Sequence, residues 1–462
     1  MKDIPVRPIL LVPLLLLTAC AVGPEYRRPE VQLPVQFSEA VATGQWHVAQ
    51  PGEFKVPARW WSVFDNAELD RLEARVLIDN QTLKIAEAQY RAARAGVDVA
   101  YAARSPSVSG DVAVSRGRSA GVTANGFGLT ASANWEIDVW GRVRRGIEQA
   151  QARAEASGDD LAAVRLSTQA LLAQTWFQLH AAVLQRQLLL ATLKDDARFL
   201  DITRSRHDAG MVSGLDVAQA EAQLNNDRAQ LSENELLRAQ LEHALTALLG
   251  GGEVEVAESP LPLVPAPPEL LPSGLLERRP DIASAERQMA AANAQIGLAQ
   301  AAYYPVLDLA ANNVGFKSTA LSKLFNAPSR IWSLGPSLAA TLFDGGARDA
   351  AVIQARAGYD QAVASYRQTV LTAFQEVQDN LSAARLLQRE AGEQAQTLAS
   401  ARRAREIAEA QYLAGTVNAL SVLSAQATER AAESNGVAIQ NRRLAAAVVL
   451  LKNAGGRATA GE

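Results

Sequence analysis

The chain has few of the residues on which catalytic and metal sites depend. It contains one cysteine and four histidines, and no two histidines lie closer than 27 positions. Zinc sites need closely spaced Cys or His ligands, so this pattern predicts no metal centre. Glycines 250–252 are followed by Glu253 and not by Lys and Ser or Thr, so they predict a helix end rather than a phosphate loop. No nucleophile is placed beside a base. The sequence predicts neither an enzyme nor a cofactor.

Aromatic residues are also scarce, and positive charge does not exceed negative charge. The net charge is −4 and no basic patch alternates with aromatic residues, which excludes a nucleic-acid partner. An aromatic content of 5% beside abundant alanine suits long, closely packed helices more than a thick globular core. Proline is absent from residues 107–259 and 337–462, so both stretches can form long helices.

What the sequence does contain is an internal repeat. Residues 208–217 recur as residues 413–422, a shift of 205 positions, and both begin with an Ala-Gly pair at their second and third positions. Further upstream, residues 83–106 match residues 282–305 at a shift of 199. The shift changes only between Pro106 and Gly141. We therefore predict two copies of one unit of roughly 200 residues.

The N-terminal segment has the features of a lipoprotein signal. Lys2 and Arg7 precede an apolar run, and Leu17-Thr-Ala-Cys20 closes it in a pattern that resembles the bacterial lipobox. We predict a signal peptide at residues 1–19 and acylation of Cys20, followed by an extended segment to residue 60. An ordinary signal with a stray cysteine is the alternative. Several acyl chains would anchor the protein firmly to a membrane.

Each copy is predicted to hold helices, a β-hairpin and a much longer helical hairpin. A helix from Gly141 to Gly210 would span roughly 100 Å at the helical rise per residue. The first copy covers residues 61–249, with helices at 61–104, a β-hairpin at 105–140 and a helical hairpin at 141–249. The second covers residues 275–453, with a helix at 275–303, a β-hairpin at 305–344 and a helical hairpin at 345–453. Residues 250–274 form a connector, and residues 454–462 a disordered tail.

Both β-hairpins alternate apolar and polar residues. Strands are predicted at residues 108–115 and 306–311 and just before each long helix, with loops around residues 117–126 and 317–329. The apolar faces either pack on a soluble core or contact lipid. In the second case four strands cannot close, so several chains must share one barrel. The candidate lipid-facing residues are Phe127, Leu129, Trp135, Trp332, Leu334 and Leu338.

Several motifs resemble one family in the expected order. They are Cys20-Ala-Val-Gly-Pro-Glu-Tyr26, Trp60-Trp-Ser-Val-Phe64, Trp135-Glu-Ile-Asp-Val-Trp-Gly-Arg142, Leu275-Leu-Glu-Arg-Arg-Pro-Asp-Ile282, Tyr304-Pro-Val-Leu307 and Leu342-Phe-Asp-Gly-Gly346. Together they resemble the outer-membrane factors of tripartite efflux systems, of OprM/TolC type and of the NodT-like lipoprotein branch. The resemblance implies a mainly α protein in which three chains form a 12-stranded β-barrel joined to a periplasmic α-helical barrel.

The resemblance also implies a function. The chain would be a passive outer-membrane conduit, a homotrimer that takes small molecules from an inner-membrane RND-type pump and a periplasmic adaptor. A type I protein-secretion duct is an alternative, and a non-conducting periplasmic scaffold is another. The resemblance places adaptor contacts at the two hairpin tips, at Gly210, Met211, Val212, Leu215, Gly415, Val417 and Leu420.

The second tip departs from the family pattern in its charge. Familiar members carry acidic residues there, whereas no Asp or Glu lies between Glu409 and Glu429. Closure of the channel would then depend on apolar packing or on the acidic residues of the first tip. The gate candidates are Leu420, Leu423, Asp208 and Asp216.

Overall fold

The structure is a computed structural model that describes residues 22–29, 59–252, 261–265 and 279–453. Cys20, the predicted signal peptide, the predicted tail and much of the connector lie outside these residues. The described residues form seven α-helices and four β-strands. The helices are α1 (Ala67–Asp79), α2 (Gln81–Ala102), α3 (Arg142–Asp208), α4 (Gly214–Leu248), α5 (Pro280–Ala301), α6 (Ala347–Leu413) and α7 (Ala419–Asn453).

The region predicted as helices at 61–104 contains two breaks that side chains explain. After a 3-10 helix at Trp60–Phe64, the Asn66 side chain accepts hydrogen bonds from the backbone N–H groups of Glu68 and Leu69 and so begins α1. Asn80 separates α1 from α2: its Oδ1 accepts from Leu83 N, and its Nδ2 donates to the Leu248 carbonyl. One asparagine thus ends one helix, begins the next and ties both to the end of α4.

The long helical hairpins have the same dimensions in both copies. Helices α3 and α6 have 67 residues each, and α4 and α7 have 35 each. Gly210 (φ 73°) and Gly415 (φ 78°) turn the chain in the left-handed region that favours glycine. After each glycine, the next N–H donates to the carbonyl five residues before it, which is the Schellman arrangement. The repeat seen in the sequence is therefore a repeat of structure.

The strands form one antiparallel sheet in the order β1-β2-β3-β4. They are β1 (Ser107–Ser119), β2 (Val122–Glu136), β3 (Val306–Ser318) and β4 (Arg330–Ala339). The loop predicted at residues 117–126 is wrong: the strands continue to a two-residue turn. Ala120 (φ 48°) and Gly121 (φ 82°) form it, and two positive φ angles match the twist of a hairpin. Strand β3 likewise extends past residue 311, to Ser318.

Contacts divide the chain into two compact units. Of the described residues, one unit comprises 22–29, 88–160 and 282–369, and the other comprises 59–87, 161–252, 261–265, 279–281 and 370–453. The first contains the sheet. The second contains the main apolar core, in which Trp60, Trp176 and Phe177 are almost fully buried among leucines of α3, α4 and α7. Each unit takes segments from both sequence copies, so the copies are interleaved rather than separate domains.

Candidate channel wall and hairpin tips

One face of the sheet is apolar and uncovered. Val112 lies opposite Leu129 and Val114 opposite Phe127, so these side chains share a face. Val112 and Val114 are 75% and 74% exposed, which excludes packing on a core within the described part of the chain. Of the candidate lipid-facing residues, Leu129, Trp332, Leu334 and Leu338 are exposed, while Phe127 and Trp135 are half-buried.

The opposite face of the sheet is polar. Asp111 lies opposite Thr130, and Glu136 lies opposite Asp308. Because side chains alternate along a strand, Ser132 and the other even-numbered residues of β2 share this face. A sheet with an exposed apolar face and a polar face is suited to contact lipid on one side and water on the other.

Aromatic residues mark both ends of the sheet. At the end near the long helices, Trp140 stacks on Tyr304 at 4.9 Å and its Nε1 donates to the Pro305 carbonyl at 2.8 Å. Trp135 Nε1 donates to the Arg104 carbonyl at 2.9 Å. At the other end, Phe316 meets Phe325 edge to face. Such girdles are typical of the two membrane interfaces.

The tip of the first helical hairpin is capped by its own side chains. The Ser213 hydroxyl accepts from Asp216 N, and the Asp216 carboxylate accepts from Ser213 N at 2.9 Å, which is a reciprocal capping box. The hydrogen bond from the Ser213 side chain lowers the pKa of Asp216. Asp216 is therefore charged and engaged in the cap, while Asp208 is exposed.

The remaining predicted tip residues fall into two groups. Met211, Leu215 and Leu420 are 66%, 66% and 53% exposed, so their side chains are available to a partner. Val212 and Val417 are half-buried, and Val417 packs on the cluster beneath the tips. Exposed apolar side chains on a tight turn indicate a contact surface.

A compact apolar cluster lies beneath the tips and joins all four long helices. Its buried members are Phe199 and Leu200 of α3, Ala220 and Leu224 of α4, Tyr412 of α6, and Ala419, Val422 and Leu423 of α7. Leu423 is only 7% exposed in this cluster. Of the two leucines predicted as gates, Leu420 alone is exposed.

Arg206 holds the two hairpins together at this level. Its guanidinium lies 4.6 Å from the centre of the Tyr412 ring and donates to the carbonyls of Tyr412 and Leu413 at 2.7 and 2.9 Å. A cation at a helix C-terminus is favourable because the last carbonyls carry partial negative charge. The sequence shows an arginine four residues before Gly210, but nothing in it identifies the partner helix.

Deeper in the hairpins, two carboxyl groups share one arginine. Arg430 of α7 donates to Asp196 of α3 at 3.0 Å and lies 3.6 Å from Asp227 of α4; both Asp side chains are 2% exposed. Gln223 donates to both oxygens of Asp227. Burial and the neighbouring Asp227 carboxyl raise the pKa of Asp196 to about 7. Sequence analysis missed this cluster because its members lie on three helices.

Two searches of the described residues are negative. No group of His, Cys, Asp and Glu there could hold a metal ion. Among the same residues, none of the helices combines the length and apolar character needed to cross a membrane.

Comparison with known proteins identifies the family. The family model for outer membrane efflux proteins matches residues 73–251 and 271–456, well over half of the chain. The chain belongs to the outer membrane efflux protein family. It is 32% identical over 459 residues to outer membrane protein OprJ of Pseudomonas aeruginosa, covering 96% of this chain and 94% of that protein. It is 29% identical over 422 residues to cation efflux system protein CusC of Escherichia coli, covering 89% and 91%.

Solved structures of this efflux protein family share the fold. The outer-membrane channel OprN superimposes with a TM-score of 0.83 at 30% identity, over 95% of this chain and 99% of that one. The protein is an outer-membrane efflux channel that extends into the periplasm. This confirms the fold class, the efflux function and the location that the resemblance implied, and it contradicts the non-conducting scaffold.

Proposed function

We propose that three copies of this chain form one conduit that carries small molecules passively across the outer membrane. The open sheet is the observation on which this rests: it has four strands, an exposed apolar face and two edge strands, β1 and β4. In hydrocarbon an unpaired edge leaves backbone groups without partners, so a spanning sheet must close. Three copies supply twelve strands, an even number within the range of outer-membrane barrels.

The conduit works with an inner-membrane pump of RND type and a periplasmic adaptor. The channel performs no chemistry, so the pump supplies the energy and the adaptor connects the two. The exposed tip residues Met211, Leu215 and Leu420 form the adaptor surface, because they are apolar, exposed and at the turns that join the helices of each long hairpin. Acylation of Cys20 would attach the protein to the membrane by a lipid anchor in addition to the β-barrel.

Efflux in living cells tests the proposal. A strain that lacks its own channel, supplied with this chain and a cognate pump and adaptor, should regain resistance to exported compounds. Leu215→Asp should abolish that resistance while the heat-resistant trimer persists, because a charge on an apolar contact surface opposes docking. Gln230→Asp, at an exposed polar position of α4, is the control and should leave efflux intact. Wild-type protein that inserts as a monomer, or a fully active Leu215→Asp variant, would refute the assembly or the adaptor surface respectively.

A further inference from the structure

The far end of the sheet, remote from the long helices, has an unusual distribution of charge. From Val112 to Trp135 and from Leu309 to Phe343 the sequence has no Asp or Glu but five basic residues. They are Arg116, Arg118, Lys317, Lys323 and Arg330. All five are exposed.

The strand register places three of these residues on the apolar face. Arg116 lies opposite Asn125 and Arg118 opposite Thr123, two and four residues beyond Val114 on the same side of β1. Arg330 lies opposite Phe316, which shares a face with Leu129. At the strand rise per residue, Arg116 and Arg118 lie roughly 7 and 14 Å beyond Val114. Along β1 the arginines follow Val114, the last exposed apolar residue of that face, and along β4 Arg330 precedes Trp332, the first one. On each of these strands the arginines therefore begin where the apolar residues end.

The arginines at the two ends of the sheet differ in their ion-pair partners. At the end near the long helices, Arg142 pairs with Glu136, Arg144 with Asp138, and Arg348 with Asp344. At the far end, no carboxylate in the described part of the chain pairs with Arg116, Arg118 or Arg330. Three exposed guanidinium groups beside an apolar band therefore have no anionic partner in the described part of the chain. If the band contacts acyl chains, its edge sets the depth in the membrane at which these groups would meet an anion.

We propose that Arg116, Arg118 and Arg330 form a belt that binds the phosphate groups of outer-leaflet lipids. A guanidinium presents a planar fork of donors that matches phosphate in a bidentate manner. Lipid headgroups lie where the acyl chains end, which is the level of the belt. The proposal rests on the proposed function, because it requires the apolar face to contact acyl chains. Closure of three copies sets β4 beside β1 of the next chain, so that Arg330 of one copy joins Arg116 and Arg118 of another.

Lys317 provides a matched control within the same end of the sheet. It lies opposite Gly128, on the polar face with Thr130. Replacing Lys317 with Gln therefore removes one positive charge, as Arg116→Gln does, but on the face that does not contact lipid. A belt for lipid phosphate requires Arg116 and not Lys317. A general effect of net charge would involve both equally.

Lipid titration of the purified wild-type protein and its variants tests the belt. Binding of lipid A, a phosphorylated glycolipid, and of phosphatidylcholine is followed by native mass spectrometry in a zwitterionic detergent. Arg116→Gln should weaken lipid A binding about fivefold, and the triple variant with Arg118→Gln and Arg330→Gln on the order of a hundredfold, at the usual contribution of a basic residue near an anionic surface. Lys317→Gln and phosphatidylcholine binding should show no change. Arg116→Lys should retain part of the affinity, because it keeps the charge but loses the fork.

Separate outcomes would contradict the belt and the proposed function. Equal losses in Arg116→Gln and Lys317→Gln, or wild-type affinity in the triple variant, would overturn the belt. Displacement of lipid A by equimolar inorganic phosphate would assign the site to free phosphate and overturn it as well. Insertion of the wild type into phosphatidylcholine vesicles as a trimer is measured in parallel. If the wild type fails to insert, the proposed function fails; if it inserts and the belt results are negative, only the belt fails.

Discussion

At the scale of single residues, the sheet offers adjacent positions with opposite environments. Leu129 lies on the exposed apolar face, and Thr130, opposite Asp111, lies on the polar face. Leu129→Arg should destabilise membrane assembly by about 2–4 kcal/mol if the residue lies near the midplane, because a charge then enters hydrocarbon. Thr130→Arg should leave assembly intact and change conductance instead. Heat-resistant trimer on gels and single-channel recording measure the two effects. Equal tolerance of both changes would mean that the sheet does not span the membrane.

Arg206 gives a second prediction at this scale. Arg206→Ala removes the contact with the Tyr412 ring and two hydrogen bonds to the end of α6, a loss of about 1–3 kcal/mol of local stability. Hydrogen exchange at the amides of Gly415 and Thr416 should accelerate, because they bond within the turn that Arg206 supports. Arg204→Ala is the control, since the pair of Arg204 with Glu221 is half exposed and contributes little. Unchanged hydrogen exchange in Arg206→Ala would show that the turn is stable without the contacts of Arg206.

At the scale of secondary-structure elements, the carboxyl pair makes the packing of α7 dependent on pH. The folded pKa of Asp196, about 7, exceeds its ordinary value of 3.8, so the packed helices bind the proton more tightly than the separated ones. The contribution of Asp196 to stability is therefore fully present below about pH 4, falls as the pH rises toward 7 and is lowest above it. The proton has a place on Asp196 Oδ2, which is buried and has no hydrogen-bond partner among the described residues.

The charges that face Asp196 are accounted for on each neighbouring helix. On α4 it meets Asp227, and on α7 it meets Arg430; Glu429, next in sequence to Arg430, is engaged by Arg405 of α6 instead. On its own helix, Lys194, Asp195 and Arg198 are exposed. Titration of this region near pH 7 is therefore assigned to Asp196.

Asp196→Asn tests the pH dependence. An amide keeps the hydrogen-bonding shape without an ionisable proton, so the variant should melt at a higher temperature than the wild type at pH 8, and by a smaller margin at pH 5. Glu221→Gln, which removes a half-exposed carboxylate of α4, is the control and should leave the wild-type pH profile unchanged. A difference in melting temperature between wild type and Asp196→Asn that is the same at pH 5 and pH 8 would contradict the assignment.

These elements also show what sequence can and cannot predict. Proline-free stretches, the turn glycines Gly210 and Gly415, and period-two alternation predicted the long helices and the strands before long helices. The length of β1 was missed because Gly117 and Gly126, small residues typical of loops, here continue strands up to a two-residue turn. The pairing of β2 with β3, and the meeting of three distant helices at Arg430, depend on tertiary contacts that no local pattern encodes.

At the scale of the whole molecule, the proposed trimer brings copies of the chain together, and the exposure of the tip residues predicts which of them would meet. Leu420 is 53% exposed, whereas Leu423, one helical turn away, is 7% exposed in the chain's own core. If the resting channel closes by apolar packing around the three-fold axis, Leu420 of each copy lies near its neighbours and Leu423 does not. The two leucines therefore separate contacts between chains from contacts within a chain.

Cysteine crosslinking makes that distinction measurable. Leu420→Cys should form disulfide-linked dimers of the chain in oxidised resting membranes, and efflux should fall until a reductant restores it. Leu423→Cys should stay reduced, because Leu423 is buried in the apolar cluster that contains Phe199, Leu224 and Tyr412. Acylation of Cys20, the one native cysteine, would leave no other thiol to compete. A Leu420→Cys protein that remains reduced would place the constriction at the first hairpin tip, where the exposed Asp208 and the capped Asp216 would then have to line it.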